Sequence, residues 1–327
     1  MMQEQSDSAD AIALSGIRKS FDGFVALDDA RFTARWGEVH ALLGENGAGK
    51  SSLMNIAAGL YAPEAGSITV NGTPARLSGP RDAAALGIGM VHQHFKLVRR
   101  FTVAENILLA NPGTHDRVPY RAKLARMEAA IRTRADALGF VIDPRALVES
   151  LSIAEQQRVE ILKVLLAGAR ILILDEPTAV LTDDEADRLL GTVHGLARSG
   201  TAVILVTHKM ADVKTYADRV TIMRGGRTIQ TVDPTQASTA ELVKLTVGET
   251  MQPPARAVRQ TGAVQLRLRD LKIALHGKVR DRAGIDLEVR AGEIYGIAGV
   301  GGNGQSELAA AIMGLDANEM CSGEIHF

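Results

Sequence analysis

The segment Gly44–Ser51 constrains this chain more than any other, because its sequence GENGAGKS fits the pattern G-x-x-x-x-G-K-[ST]. The apolar stretch Val39–Leu43 before it predicts a buried strand, and Ser52–Ala58 after it predicts a helix. Glycines in such a loop let backbone N–H groups approach phosphate oxygens, and the helix N-terminus adds a favourable dipole. The segment therefore predicts a nucleotide-phosphate site, with Lys50 at the β- and γ-phosphates and Ser51 at Mg²⁺.

Three further apolar stretches predict parallel strands that are buried on both faces of a sheet. Each is followed directly by polar residues: Ile171–Leu174 by Asp175 and Glu176, Ala202–Val206 by Thr207 and His208, and Ile88–Val91 by His92 and Gln93. Open α/β sheets bind ligands at the carboxyl ends of such strands. Asp175 suits the outer shell of Mg²⁺, and Glu176 suits polarising a water. A lone His or Gln after a strand is more often a turn residue, so the prediction depends on the whole set.

In this order the motifs resemble those of the ATP-binding cassette family, over about residues 11–248. The matching segments are Gly44–Ser51 for Walker A, Gln93 for the Q-loop, Ile171–Glu176 for Walker B with its catalytic glutamate, Ala179–Thr182 for the D-loop and His208 for the switch histidine. A GTPase is disfavoured because the guanine motif N-K-x-D is absent from the sequence. The resemblance implies an α/β fold, a P-loop NTPase cassette with a central mostly parallel sheet, an antiparallel β subdomain and a helical subdomain at about residues 95–165.

The resemblance also implies a role for each matching residue. Catalysis falls to Glu176, His208 and Gln93, and ligation of Mg²⁺ to Ser51, Gln93 and Asp175. The residues implied to bind ATP are Phe21, Gly44, Asn46, Gly47, Ala48, Gly49, Lys50, Ser51, Ser52 and Asp175. Phe21 is assigned to stacking on adenine from its chain position alone. The implied reaction is hydrolysis of ATP, with Mg²⁺ as the cofactor.

The signature motif of the family, usually L-S-G-G-Q, departs from its pattern here. The matching residues are Leu151, Ser152, Ile153, Ala154, Glu155 and Gln156. Ser152 and Glu155 also have the spacing of a capping box that opens a helix, and both interpretations can hold together. Side chains in place of glycine limit the approach of the backbone to a ligand. We therefore expect slow hydrolysis at the site that this motif faces.

Part of the sequence returns at an offset of 255 residues, for example Gly37–Gly44 as Gly292–Gly299. This repeat predicts a second, degenerate cassette at residues 263–327, after a Pro-containing linker at 249–262. Lys50 corresponds to Gln305, which carries no positive charge to a phosphate. The match to the first cassette predicts that the chain stops within the second one. We expect its apolar residues to be poorly covered, namely Ile294, Ile297, Leu308 and Ile312.

Tandem cassettes, a degenerate second phosphate loop and a relaxed signature resemble importers for simple sugars. Met90–Val98 and Glu155–Lys163 resemble the nucleoside-importing branch more closely still. This resemblance implies three partners: integral membrane permease subunits, a second cassette and, indirectly, an extracytoplasmic substrate-binding protein. It also implies a peripheral location on the cytoplasmic face of the inner or plasma membrane.

Composition limits the alternatives. A net charge of −1 gives no electrostatic footprint for nucleic acid. The single cysteine fits a reducing compartment, and no apolar run approaches 18 residues. A chromosome-maintenance ATPase needs a long coiled coil before its signature, yet only 57 residues separate Gln93 from Leu151. A soluble tandem-cassette ATPase that acts on ribosomes or nucleic acid without transport remains the alternative.

Overall fold

The computed structural model describes residues 10–111, 118–248, 261–273, 284–299, 303–315 and 320–327. Contacts divide the chain into two units, Met1–Thr250 and Met251–Phe327, and each is treated by itself. Most of the predicted linker at 249–262 lies outside the described residues. The predicted domain limits therefore stay a prediction.

Ten strands, eight α-helices and one short 3-10 helix (Val148–Ser150) form the described part of the first unit. The strands are β1 (Asp10–Phe21), β2 (Phe24–Arg35), β3 (Val39–Leu43), β4 (Ala65–Val70), β5 (Thr73–Ala75), β6 (Ile88–Val91), β7 (Ile171–Asp175), β8 (Ala202–Thr207), β9 (Arg219–Arg224) and β10 (Arg227–Val232). The helices are α1 (Lys50–Ala57), α2 (Pro80–Ala85), α3 (Val103–Ala110), α4 (Tyr120–Leu138), α5 (Ile153–Leu166), α6 (Asp183–Arg198), α7 (Met210–Tyr216) and α8 (Thr239–Val247).

A six-stranded sheet in the order β10-β9-β3-β8-β7-β6 forms the centre of this unit. All of its pairs are parallel except β9 with β10. Every residue of β3, β7 and β8 is buried, as their continuous apolar sequences predict for strands covered on both faces. The register pairs Leu43 with Thr207 and Asp175 with Val206, so neighbouring strands end at the same edge. The predicted parallel sheet is confirmed.

A second sheet, in the order β2-β1-β4-β5, is antiparallel. Its inner face shares one apolar core with α1 and one face of the central sheet, including Ile12, Leu27, Leu53, Met54 and Ile204. Burial of this helix against both sheets fixes the direction in which the phosphate loop enters α1. The expected antiparallel subdomain is therefore present.

The helices α3, α4 and α5 share a second core with the opposite face of the central sheet. The apolar stripe of α4 faces this core, with Ile131 and Ala135 buried and Leu124, Met127 and Leu138 partly buried. At the edge of this group, the Glu128 carboxylate accepts a hydrogen bond of 2.8 Å from Arg145 Nε. The predicted helical subdomain is thus tied to the sheet through its apolar face.

The second unit contains β11 (Val264–Ile273), β12 (Ile285–Arg290), α9 (Gln305–Met313) and β13 (Met320–His326) among its described residues. Its sheet has the order β12-β11-β13 and is antiparallel, which reproduces the order β2-β1-β4 of the first unit. The glycines before the two corresponding helices also match, because Gly49 has φ 98° and Gly304 has φ 103°. The sequence repeat is therefore also a repeat of backbone geometry over these elements.

Two details of the second unit differ from its counterpart or from expectation. Residues 293–299, which correspond to the segment that contains β3, lie in no helix or strand, and Ile294 is fully exposed. No strand among the described residues of this unit pairs with them, so their backbone lacks the parallel neighbours that β3 has. The expectation that Leu308 is poorly covered was wrong, since α9 packs it against Leu268 and Leu271. Ile312 also packs against this cluster, in part.

We expect Gly49→Ala to destabilise the nucleotide-free protein by roughly 2–4 kcal/mol, as strain and overpacking add. Gly49 is left-handed, and an added Cβ would lie 2.8 Å from Leu27 Cδ2 and 2.9 Å from the Ala26 carbonyl oxygen. Gly47 is the matched control, because its φ is +83° but nothing lies within 4 Å of an added Cβ. Gly47→Ala should therefore lose only the conformational part. Urea denaturation of both variants measures the difference, and equal losses would contradict the packing argument.

Candidate nucleotide-binding site

The phosphate loop joins the buried end of β3 to the start of α1. The Lys50 ammonium lies inside the loop and donates hydrogen bonds to the carbonyl oxygens of Gly44 at 2.8 Å and Glu45 at 3.0 Å. Burial lowers the pKa of Lys50, although the carboxylates of Glu176 and Asp175 act in the opposite direction. Its ammonium is held by two neutral carbonyl oxygens, so the loop holds a desolvated positive charge beside the helix N-terminus. That arrangement suits an anion.

Asp175 ends β7 beside the first turn of α1. Its Oδ1 lies 3.4 Å from Ser51 Oγ. Burial raises the pKa of Asp175 and the neighbouring Glu176 adds to this, while the Ser51 hydroxyl and Lys50 act against it. The environment of the nucleotide-free protein therefore disfavours the charge that Asp175 carries. A cation at this point would remove that cost.

Glu176 follows Asp175 and has the left-handed φ of 49°. Its backbone N–H donates to the Val206 carbonyl at 2.9 Å. Its carboxylate accepts a hydrogen bond of 3.1 Å from Gln93 Nε2 and lies 3.2 Å from His208 Nδ1. Three residues predicted to be catalytic, from the ends of β6, β7 and β8, thus meet at one carboxylate.

A cleft of about 440 Å³ opens over this group. Ten residues that the sequence predicted for the site line this cleft: Phe21, Asn46, Gly47, Ala48, Gly49, Lys50, Ser51, Ser52, Gln93 and Glu176. Phe24 and Ala26 line it as well, and the sequence argument missed both. The available signal was the short Asp-Gly turn after Phe21, which places Phe24 beside it across the hairpin. The cleft is therefore lined by two aromatic side chains, Phe21 and Phe24, as well as by the phosphate loop and Glu176.

Another cleft, of about 810 Å³, lies between β10 and α8. None of the predicted site residues lines it. Size alone does not locate chemistry, and the phosphate-loop cleft is where a buried cation, two adjacent carboxylates and three strand ends converge. We therefore place the candidate site at the smaller cleft.

The signature segment begins α5 and contributes no residue to the lining of this cleft. Ser152 caps the helix, since its Oγ accepts from the Glu155 N–H at 3.3 Å and the Glu155 carboxylate accepts from the Ser152 N–H at 2.8 Å. The capping interpretation is confirmed. Ala154 is buried, Ile153 is half exposed, and Gln156 donates to the Leu151 carbonyl at 2.9 Å. The role of the segment towards a second nucleotide stays a prediction.

Glu160, on the same helix, was not predicted to matter for the site. Its buried carboxylate accepts a hydrogen bond of 2.7 Å from the backbone of Lys96 and lies 2.5 Å from Lys163 Nζ. It thus ties the segment after Gln93 to the signature helix. The signal in the sequence was a carboxylate among the buried residues Val159 and Ile161, where an unpaired charge is costly.

Comparisons with known proteins agree with this geometry. Residues 27–179 match the family model described as ABC transporter. The chain is 43% identical over 316 residues to a nucleoside import ATP-binding protein of Lactococcus lactis, which covers 96% of this chain and 62% of the relative. It is 45% identical over 305 residues to a guanosine import ATP-binding protein of Bacillus subtilis, and the match covers 93% of this chain and 59% of that relative. It is 39% identical over 326 residues to a ribose import ATP-binding protein of Streptomyces avermitilis, and the match covers 98% of this chain and 60% of that relative. The chain spans about three fifths of the length of these curated relatives.

Solved structures identify the same fold. The ADP conformation of an ATP-binding cassette from an ABC transporter matches with a TM-score of 0.62 at 22% identity, over 73% of this chain and 96% of that chain. An ATP-binding subunit of an ABC transporter matches with a TM-score of 0.59 at 25% identity, and the match covers 72% of this chain and 99% of that chain. The loop and the sheet define the first unit as a P-loop NTPase domain. More particularly, it has the fold of an ATP-binding cassette, in agreement with the ABC transporter family model that residues 27–179 match.

Asp175→Asn should stabilise the nucleotide-free protein at neutral pH. Because the pKa of Asp175 is raised, the folded chain holds that proton more tightly than the unfolded chain does. This contribution is complete below the ordinary aspartate range of about pH 4 and is lost as pH rises through the raised pKa. The variant removes the buried charge, so its free energy of unfolding should depend less on pH in that window.

Urea denaturation of the nucleotide-free proteins at a series of pH values measures this effect. Asp22→Asn is the matched control, because Asp22 is exposed in the turn between β1 and β2. It should leave both the stability and its pH dependence nearly unchanged. Lower stability of Asp175→Asn at pH 7 would contradict the assignment of a buried, disfavoured charge.

Proposed function

We propose that the protein is the ATP-hydrolysing subunit of an importer that takes up a nucleoside or a simple sugar. The observation that carries the proposal is the convergence of Gln93 and His208 on the Glu176 carboxylate, at the mouth of the phosphate loop. Hydrolysis of a γ-phosphate depends mainly on positioning a water and stabilising charge. The arrangement supplies a carboxylate for the water and a cation, Lys50, for the charge.

The donor set fits Mg²⁺, which takes oxygen ligands and is held in proteins by few side chains together with substrate phosphates. Ser51 Oγ and Asp175 Oδ1 are adjacent oxygens, and Gln93 can turn its amide oxygen to the same cleft. Among the described residues no group of three or more His, Cys, Asp or Glu side chains is arranged to hold a metal, which fits an ion completed by nucleotide and water. When bound, Mg²⁺ neutralises charge that develops on the phosphates.

Each residue of the first site then has one task. Backbone N–H groups of Asn46–Ser52 bind phosphate oxygens, and Lys50 adds a positive charge. Phe21 stacks on the adenine, with Phe24 beside it. Glu176 orients the attacking water and accepts its proton, while His208 and Gln93 hold the carboxylate in place. Left-handed backbone at Glu176 turns this side chain out of the strand and towards the cleft.

The second unit is, on this proposal, part of a second and weaker nucleotide site. Gly304 keeps the left-handed backbone of Gly49, while Gln305 stands where Lys50 would supply charge. The loop before α9 would bind phosphate weakly, because no lysine brings a positive charge to it. The strong site would use the first phosphate loop and a signature from a second cassette. Two cassettes closing on ATP and opening after hydrolysis would drive the permease subunits.

The proposed cargo is supported by the relatives, whose names specify import of nucleosides, guanosine and ribose. This subunit does not itself bind the cargo on this proposal, which assigns that task to an extracytoplasmic binding protein and the permease. Across the described residues, no helix has the length and apolarity to cross a bilayer. The import function in the names of the relatives supports permease subunits for the membrane step, and we place the protein peripherally, on the cytoplasmic face of the inner or plasma membrane.

The permease contact is assigned to a cleft of about 290 Å³ on the helical subdomain, between α3 and the start of α4. Three large apolar side chains at this cleft are well exposed: Phe101 by 40%, Leu109 by 63% and Tyr120 by 57%. Exposed apolar side chains gathered at a concave site are typical of a docking surface. A short amphipathic helix fits such a groove.

Glu176→Gln should keep affinity for MgATP and lower the hydrolysis rate by about 10²–10⁴-fold, because it removes the base and preserves the shape. Lys50→Ala should weaken binding itself, because it removes the positive charge from the loop. Nucleotide affinity and phosphate release are measured for both variants, alone and with the permease subunits. Glu149→Gln, at an exposed carboxylate outside the cleft, is the control and should match the unchanged protein. Full turnover by Glu176→Gln in the assembled importer would contradict the assignment of Glu176 as the base.

Leu109→Asp should reduce co-purification with the permease subunits at least about tenfold, since a charge in the apolar centre of an interface costs more than 1.4 kcal/mol. Affinity for MgATP should not change, because Leu109 does not line the nucleotide cleft. Val141→Asp is the matched control, because Val141 is equally apolar, is 84% exposed and lies outside the groove. Equal loss of co-purification in both variants would contradict the location of the docking surface. Co-purification with ribosomes and no membrane protein would instead favour the soluble alternative.

A further inference from the structure

The segments that carry Glu176 and His208 are joined a second time, away from the cleft. Thr178 Oγ1 donates a hydrogen bond of 2.7 Å to Asp212 Oδ2. Lys209 Nζ donates one of 2.7 Å to the Thr178 carbonyl oxygen. We call Thr178, Lys209 and Asp212 the clasp. It fixes one residue of the segment after β7 to two residues of the segment after β8.

Two of the three residues of the clasp lie in the interior. Thr178 is 1% exposed and Asp212 is 9% exposed, so the hydrogen bond between them is shielded from water. A hydrogen bond to a carboxylate is strong in such surroundings, and removing one partner leaves the other unsatisfied. The backbone of Lys209 is also fixed, because its N–H donates to Thr207 Oγ1 at 3.0 Å. The two segments therefore have little freedom to separate at this point.

The clasp holds a segment whose backbone is strained. Glu176 has φ 49°, a conformation that side chains other than glycine adopt only where the surroundings enforce it. On one side, the Glu176 N–H is held by the Val206 carbonyl at 2.9 Å. On the other side, the clasp holds Thr178 two residues later. The strained residue thus lies between two anchors, and both anchors belong to the segment that continues into His208.

We propose that the clasp is a positioning device that keeps the Glu176 carboxylate at the correct distance from His208 for water attack. Neither Thr178 nor Asp212 lines the nucleotide cleft, so they act through Glu176 and not on the nucleotide. The inference rests on the proposed hydrolytic function and goes beyond it, because it assigns the rate of that reaction to residues outside the cleft. Loss of the clasp should lower kcat and leave the KM for ATP almost unchanged, since the phosphate loop is built from other elements.

Thr178→Val and Thr178→Ser test the proposal, because the first replaces the hydroxyl with a methyl group and the second keeps the hydroxyl and loses only the γ-methyl group. Steady-state hydrolysis of MgATP is measured with the permease subunits present. We expect Thr178→Val to lower kcat by about 10- to 100-fold, the effect of a small misplacement of a reacting group. Thr178→Ser keeps the donor and should keep most of the kcat. The KM for ATP should change little in either variant.

Thr246→Val is the matched control for a purely structural effect. Thr246 is also buried, and its Oγ1 donates a hydrogen bond of 2.7 Å to the Leu242 carbonyl on α8, outside the cleft. This variant should lose stability and keep the kcat of the folded fraction. If Thr178→Val does not fold, Lys209→Met removes the second bond of the clasp from a partly exposed position and should also lower kcat without raising KM.

The outcomes separate this inference from the proposed function. If Glu176→Gln loses turnover while Thr178→Val and Lys209→Met keep the kcat of the unchanged protein, the clasp has no positioning role and the ATPase assignment stands. A fall in kcat that Thr178→Ser shares in full, or a rise in KM, also overturns the positioning role. If the unchanged protein and Glu176→Gln release phosphate equally, the hydrolytic function fails and the clasp proposal fails with it.

Discussion

The in-register pairing of β3, β8 and β7 is the constraint on which the rest of the structure depends. Because these strands are parallel and paired residue for residue, they all end at one edge of the sheet. Glu176 and His208, far apart in the chain, meet there because Asp175 and Val206 are paired one residue or two before them. A slip of one residue in β7 would turn Asp175 away from Ser51, so register and site geometry are one property.

That edge holds charges which the protein alone does not balance. Burial works against the charged form of Lys50 and against that of Asp175, and their mutual attraction offsets this cost only in part. The sheet and α1 are stabilised by apolar packing elsewhere, which allows this edge to be electrostatically unfavourable. A ligand that brings phosphate to Lys50 and a cation to Asp175 relieves both costs together. Burial of these two charged groups therefore increases the affinity of the site for such a ligand.

Much of this arrangement could be predicted from the sequence, because the predictions came from continuous apolar strands and the polar residues after them. Parallel pairing followed, as did the meeting of Gln93, Glu176 and His208. Contacts between elements that lie far apart in the chain could not be predicted in this way. Glu160 binding the backbone of Lys96, and Thr178 binding Asp212, depend on how a helix docks on the sheet. The burial of Leu308 was misjudged for the same reason, because it depends on how α9 packs on β11.

The two units separate what glycine supplies from what charge supplies. Gly49 and Gly304 adopt the same left-handed conformation at the start of a helix, so the backbone of the loop is kept where Lys50 becomes Gln305. The helix that follows Gly304, α9, packs Leu308 on β11 although position 305 carries no positive charge. The left-handed helix start and this packing therefore do not require an ammonium group at position 305. The pattern of glycines identifies the shape of a phosphate loop, and the lysine identifies its chemistry.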